Sequence, residues 1–435
     1  MRGRASVRML AIGEPLEIGR MLVAGRLFKS ATSETRATED GFVTDELLEF
    51  YEPMARAGTP LIVTGNLYVS LQGKSAGRQA GIDADDKLPG LRRWVDSARR
   101  HGVKLVAQLN HGGRQMIHPA PGSPGIVAPS AVRDPLNGSR PRALRRDELA
   151  GVAETFAAAA SRAREAGFDG VQIHAAHGYL LSEFLTPHTN RRDDDYGGSL
   201  TNRMRLLLEV LTAIRGRVGD DFPVLAKLNG TDMLPLRHAA TTDELVAVAV
   251  ALQDAGLDAI EISRAHYESW PGIVLGKYKG FWRAQIREGH GQYASLSRKA
   301  FALAAGPLVE RVAERVAPGS EGFNLPYAER FARALDIPVI CVGGFHSRAA
   351  MDGALRAGSC DAVSAARAFI ADPYLYRHVT GNSEPDAPVC GYCNGCIARF
   401  GGRPIDCYRP EIRARKDAML RRGGASARAR SGAWT

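Results

Sequence analysis

The chain is short of cysteine, of aromatic residues and of long apolar runs, and each shortage excludes something. Six cysteines in 435 residues are too few for the disulfide framework of a small secreted scaffold. Four of them crowd between Cys390 and Cys407, which suggests a reducing interior and a local metal or redox site. The other two, Cys341 and Cys360, sit in apolar context and read as small core residues. No apolar stretch is long enough to span a bilayer. The start, MRGRASVRMLAIGEPLEIG, lacks a sustained apolar core ahead of a small-residue cleavage site, so a cytoplasmic protein is expected.

Acidic residues are scarce only at one end. The formal net charge is +10, and the last 28 residues from Tyr408 hold eight Arg or Lys against two acids, so +6 of it lies there. Beyond Tyr408 itself a single aromatic, Trp434, accompanies that charge, and no nucleic-acid reader module stands beside it. The segment 411–435 is therefore expected to be a basic, disordered, solvated tail with no nucleic-acid role.

What is present is an alternation. Short β-branched runs recur at Leu27 to Ser30, Leu61 to Thr64, Lys104 to Leu109, Gly170 to His174, Val224 to Leu228, Ala259 to Ser263, Val339 to Val342 and Ala362 to Ala365. Between them lie helix-period segments such as TDELLEFYEPMARAG, RDELAGVAETFAAAASRAREAG and TTDELVAVAVALQDAG, with early acids and a terminal glycine. Eight apolar strands, each followed by a helix, predict a parallel sheet buried on both faces and closed as a (β/α)8 barrel over residues 1–380. Catalytic groups are then expected just past the strand ends. Residues 264–322 are too long for a plain connection and read as a lid or subdomain excursion. Within them HYESWPGIVLGKYKGFW could reach over the barrel mouth and SLSRKAFALAAGPLVERVAERV has helical period. Residues 381–410 form a cysteine-rich extension.

The end of the fourth run concentrates His174, His177 and Tyr179. Two imidazoles and a phenol can converge on one bound oxygen, the histidines polarising it and the tyrosine supplying a proton. A zinc pair is the competing reading, but no third ligand stands nearby in sequence. QLNHGGRQ carries Gln108 at the third strand end, and AKLNG places Lys227 inside an apolar run. A buried lysine needs an acceptor, either an electron-rich ring or an acid on a neighbouring strand. VGGFHS and SAARAF bring Gly343, Gly344 and Arg367 to the seventh and eighth ends, where barrels commonly hold phosphate.

These residues resemble the old yellow enzyme family of flavin-dependent ene-reductases and NADH:flavin oxidoreductases, over roughly Glu14 to Pro373. The most specific piece is HAAHGYLLSEFLTPHTNRRDDDYGGSLTNR; GRLFKSATSE, VAQLNHGGRQ and APSAV support it. The resemblance implies FMN, with Ser30, Ala31, Thr32 and Ser33 along the flavin edge, Gly65 beneath it, Gln108 on its pyrimidine side and Lys227 near N1 and O2. Gly343, Gly344, Ala366 and Arg367 would hold the phosphate. It also implies ping-pong use of NAD(P)H to reduce an activated alkene, with His174 and His177 on the carbonyl oxygen and Tyr179 as the acid. Three departures stand out. Ala31, Thr32 and Ser33 replace the family's Pro-Met-Thr or Pro-Met-Cys, Lys227 replaces an arginine, and Ala366 replaces a glycine.

The cysteine extension resembles that of longer members related to dienoyl-CoA reductase and trimethylamine dehydrogenase, which hold a four-iron cluster. Here Cys390, Cys393, Cys396 and Cys407 are separated by two, two and ten residues, and the middle interval is shorter than in that motif. Iron-sulfur, zinc or a metal-free set of thiols all remain open. No GxGxxG follows Cys407, so the nicotinamide is expected to bind over the FMN. Two other readings stay in play: an FMN and iron-sulfur amine dehydrogenase or demethylase, and a non-redox lyase or aldolase with Lys227 as its nucleophile. Substrate identity and oligomeric state are left open.

Overall fold

The structure is a computed structural model, and it describes residues 10–116, 122–234, 237–317, 319–381 and 386–431, with side chains to 423. Eight strands close a barrel of parallel neighbours: Leu27–Lys29, Leu61–Tyr68, Lys104–Asn110, Gly170–Ala175, Val224–Asn229, Ala259–Ser263, Val339–Val342 and Ala362–Ala365, here strands one to eight. Strand eight returns to strand one through Val363 opposite Leu27. The strands are buried along almost their whole length, as a sheet covered on both faces requires. Strand two runs four residues past the expected Thr64, because a register shift between Val63 and Asn66 absorbs Gly65 without ending the strand.

The helix signals act as read. Thr44 caps Asp45–Arg56 by accepting from the Leu47 N–H, and Thr241 with Glu244 makes a capping box for Thr242–Asp254. Helix Arg146–Ala166 ends on Gly167 at φ 92°. These helices pack Leu, Val, Ala and Phe side chains against the outer strand faces in one continuous core that includes Cys341 and Cys360. At the opposite end from the site, an antiparallel hairpin of Leu16–Ile18 and Met21–Val23 closes the barrel floor. Its Leu16, Ile18, Met21 and Val23 meet Phe28, Leu61, Val106, Leu225 and Ile340 from the strand beginnings.

The excursion after strand six contains a turn at Tyr267–Gly272 and helices Phe281–Glu288 and Leu296–Val316. Its aromatic residues cluster, Trp270 stacking on Phe281 at 4.7 Å. The segment expected as a disordered tail is instead a helix, Pro410–Ser431. Lys416 reaches Asp406, and Met419 packs beside Ala57 and Tyr374, which gives the helix an anchor that charge counting alone misses. Trp434 lies outside the described residues. Among the described residues no helix is long and apolar enough to cross a membrane.

Candidate active site

One cavity of about 360 Å³ opens at the C-terminal ends of the strands, where barrel chemistry is expected. Ser30, Ala31, Thr32 and Ser33 follow strand one into its wall; His177, Tyr179, Lys227 and Ser263 come from strands four to six. Gly344, Ala366 and Arg367 form its far end, and Tyr267, Trp270, Phe281 and Trp282 cover it from the excursion.

The turn after strand four explains how His177 and Tyr179 face the cavity together. His177 has φ 63° and Gly178 φ 79°, and a Cβ on Gly178 would stand 2.3 Å from the His266 ring. Only glycine fits there. The His177 Nε2 meets the Ser263 hydroxyl at 2.7 Å, and the His177 backbone N–H donates to Asn229 Oδ1 at 3.2 Å. His174 stands behind rather than on the cavity wall. Its ring is edge-on to Tyr179 at 4.8 Å and to His177 at 5.3 Å. The expected pair of histidines on one substrate oxygen is thus one wall histidine and one supporting ring, because the left-handed turn carries His177 outward past His174.

Burial sets the protonation of this trio. It pushes the His177 imidazole down to about 3, with Lys227 adding to the shift, and holds His174 well below its ordinary value. It pushes the Tyr179 phenol up to about 12. At neutral pH the site therefore holds two neutral imidazoles and a protonated phenol.

Lys227 meets both alternatives that its sequence left open. Its Nζ pairs with Glu261 at 3.1 Å across strands five and six, where the two residues are in register, and donates to Ser30 Oγ at 3.0 Å while lining the cavity. Burial pushes Glu261 up, but Lys227 and bonds from Ser364 and Ser30 outweigh it and hold the carboxyl below its usual range. Gln108 does not reach the wall. It donates to Gln172, which donates to Glu261 at 3.0 Å, so a polar chain crosses the barrel beneath the cavity. Gly65 is likewise behind the wall, its N–H taken by Glu34 at 2.7 Å and Tyr51 at 2.9 Å. Gly343 packs against Asn324 and leaves Gly344 to face the cavity. Glu261, Ser263, Tyr267 and Glu34 were not singled out from sequence. Only Glu261 carried a signal, a charge inside the apolar run AIEIS.

The far end suits an anion. Arg367 lines the cavity with no carboxylate partner among the described residues, stacked at 4.9 Å over Tyr392 and bonded to Asn394. An unneutralised guanidinium beside the Gly344 backbone matches a phosphate. Lys227, paired with Glu261 and lining the cavity, offers a further N–H donor. The residues present therefore fit a phosphorylated flavin.

The cysteines fit a metal less well. Cys390, Cys393, Cys396 and Cys407 all line a separate cavity of about 20 Å³, and Cys396 also touches the main one. Yet among the described residues no three Cys, His, Asp or Glu side chains come together as a metal-holding group. Burial pushes the Cys396 thiol up to about 12.

Residues 11–280 match the family model for NADH:flavin oxidoreductase / NADH oxidase. The chain is 32% identical to a metal reductase from Desulforamulus reducens over 92% of its own length and 53% of that relative, so it spans about half of it. It is 30% identical to 4,4'-dithiodibutanoate disulfide reductase from Rhodococcus erythropolis, over 89% of this chain and 92% of that one. Among solved structures, a 2-naphthoyl-CoA reductase complex aligns at a TM-score of 0.77 and 25% identity, covering 93% of this chain and 58% of the other. With its closed barrel and strand-end site, the chain belongs to the NADH:flavin oxidoreductase / NADH oxidase family.

Proposed function

We propose that the cavity reduces activated alkenes, enones or related acceptors, at the expense of NAD(P)H. The observation that carries this reading is that Tyr179, His177 and Lys227 line one cavity together with Arg367, which has no carboxylate partner among the described residues. FMN, when bound, supplies the hydride exchange with NAD(P)H and with the acceptor. Arg367, Gly344 and Ala366 would hold its phosphate; Lys227 and residues Ser30 to Ser33 would flank its ring.

The chain's own contribution is orientation and a proton. His177, kept neutral by burial and oriented by Ser263, donates to the substrate carbonyl oxygen as that oxygen gains negative charge. Tyr179 holds its proton through neutral pH and delivers it to the α-carbon. His174 fixes the Tyr179 ring from behind. Tyr267 and Trp270 cover the cavity and exclude water from the reacting carbons. Lys227 is held by Glu261, an arrangement that favours a fixed cation over a Schiff-base nucleophile.

Isotope placement tests this. With NAD(P)H deuterated at C4 in ordinary water, the saturated product should carry deuterium at the β-carbon and solvent hydrogen at the α-carbon. Deuterium at the α-carbon, or NAD(P)H oxidation with the enone recovered unchanged, contradicts the reading.

A further inference from the structure

The excursion helix Leu296–Val316 has two apolar faces, and only one of them is covered. The covered face packs through Gly306, close on Trp282, and through Ala313, which joins the cluster of Tyr278 and Phe281. Both acids of the helix turn toward the excursion as well. Glu310 accepts the N–H groups of Gly280 and Trp282 at 2.9 and 3.1 Å, and Glu314 accepts that of Tyr278 at 2.9 Å. Elsewhere on the helix Phe301, Ala305, Leu308, Val312 and Val316 recur at spacings of four and three residues, which aligns them in one stripe. Phe301 is 74% exposed and Leu308 66%, and Val309, Val312 and Val316 are exposed beside them. A single exposed leucine means little, but a contiguous ridge of this kind marks a contact surface.

The charge beside the ridge selects the partner. Arg298, Lys299, Arg311 and Arg315 belong to the same helix, and none has a carboxylate within ion-pair distance among the described residues. With both glutamates taken by backbone donors, the charge left to the outer side is positive. A second copy fits this poorly, because an antiparallel pairing that sets Phe301 on Val312 also sets Arg298 on Arg315. An anionic bilayer fits both features: a basic amphipathic helix lies flat there, its apolar side chains below the headgroups and its cations among them. We propose that Leu296–Val316 docks the protein on an anionic lipid surface, and that the cavity takes its acceptor from that layer. The helix stands at the cavity rim. Trp282, on which Gly306 packs, lines the cavity, and the Arg298 guanidinium lies against Gly138, next to the lining residues Leu136 and Asn137. The cavity wall includes Ile273, Val274, Phe281, Ile397 and Phe400, so the acceptor class is an apolar enone dissolved in lipid. This substrate class rests on the reading of the cavity as the site of enone reduction; the docking surface does not.

The test sediments the full flavin-loaded protein with vesicles of phosphatidylcholine alone, or of phosphatidylcholine with about one third phosphatidylglycerol. It should pellet with the anionic vesicles and stay in solution with the neutral ones, and added salt should release it. Phe301→Ser and Leu308→Ser should each weaken partitioning about tenfold or more, and Arg311→Gln and Arg315→Gln about fivefold each. None of these four side chains lines the cavity, so every variant should reduce water-soluble cyclohexenone at the rate of the unsubstituted protein. An enone on a long alkyl chain, supplied in anionic vesicles, should turn over more slowly with Phe301→Ser. Failure to pellet with anionic vesicles, equal pelleting with neutral ones, or binding that survives all four substitutions and so belongs to the basic helix Pro410–Ser431 would each overturn the docking surface. A lipid-free dimer that Phe301→Ser dissociates would give the ridge to a second copy and overturn it too. Equal turnover of the vesicle-held enone by the unsubstituted protein and Phe301→Ser would refute delivery from the layer. If neither enone is reduced, the reading of the cavity fails, whereas the docking surface is judged by sedimentation alone.

Discussion

Replacing Tyr179 by Phe removes one hydroxyl that has no hydrogen-bond partner among the described residues and leaves a ring of the same shape against His174. No buried group loses a bond, so stability should change by less than about 0.5 kcal/mol. The kinetic effect should be large and confined to one step. Loss of a positioned general acid costs about 10² to 10⁴ in rate, or roughly 3 to 5 kcal/mol of barrier. Anaerobic stopped-flow absorbance separates the two half-reactions: reduction of the bound flavin by NAD(P)H should keep its rate, while its reoxidation by enone should slow by that factor. Equal slowing of both would refute the reasoning, since it would mean that the phenol positions the cofactor. Unchanged reoxidation would remove Tyr179 from proton transfer altogether.

Arg367→Ala should weaken FMN binding by about tenfold to a hundredfold, the worth of a hydrogen bond to a charged group, with little change in the melting temperature of the apoprotein; equilibrium dialysis of FMN checks it. Glu261→Gln leaves the Lys227 cation buried without its counter-ion and should cost about 3 to 5 kcal/mol in urea unfolding. Adding Lys227→Met should recover much of that loss, and a double variant weaker than the single would contradict the pairing. The pH profile of enone-driven reoxidation should be flat from about pH 5 to about pH 10, because His177 is neutral above about 3 and Tyr179 protonated below about 12. A limb near neutral pH would show that another group controls proton transfer.

The barrel was legible because its strands are apolar throughout and its helices carry their own start and stop residues. Where strand two continues past Thr64, Gly65 and Asn66 look like a turn, and only the bulge against strand three keeps them in the sheet. The clustering of His174, His177 and Tyr179 at strand four was legible too, but not the orientation of the histidines. That depends on a left-handed turn at His177 and Gly178 packed against His266, from a segment about ninety residues away. Gly65 and Gln108 sit at the expected strand ends, yet tertiary partners, Glu34 with Tyr51 and Gln172, claim their donors first. The helix Pro410–Ser431 escaped because its charge resembles a solvated end, while its anchors, Lys416 on Asp406 and Met419 on Ala57 and Tyr374, are tertiary contacts.

The most direct measurement is the absorption spectrum of the purified protein through one anaerobic cycle. Heat denaturation should release FMN, near one per chain; NAD(P)H should bleach the flavin bands of the native protein; and one equivalent of enone per flavin should restore them. A protein that binds no flavin, or a bleached flavin that enone fails to restore, would contradict the account.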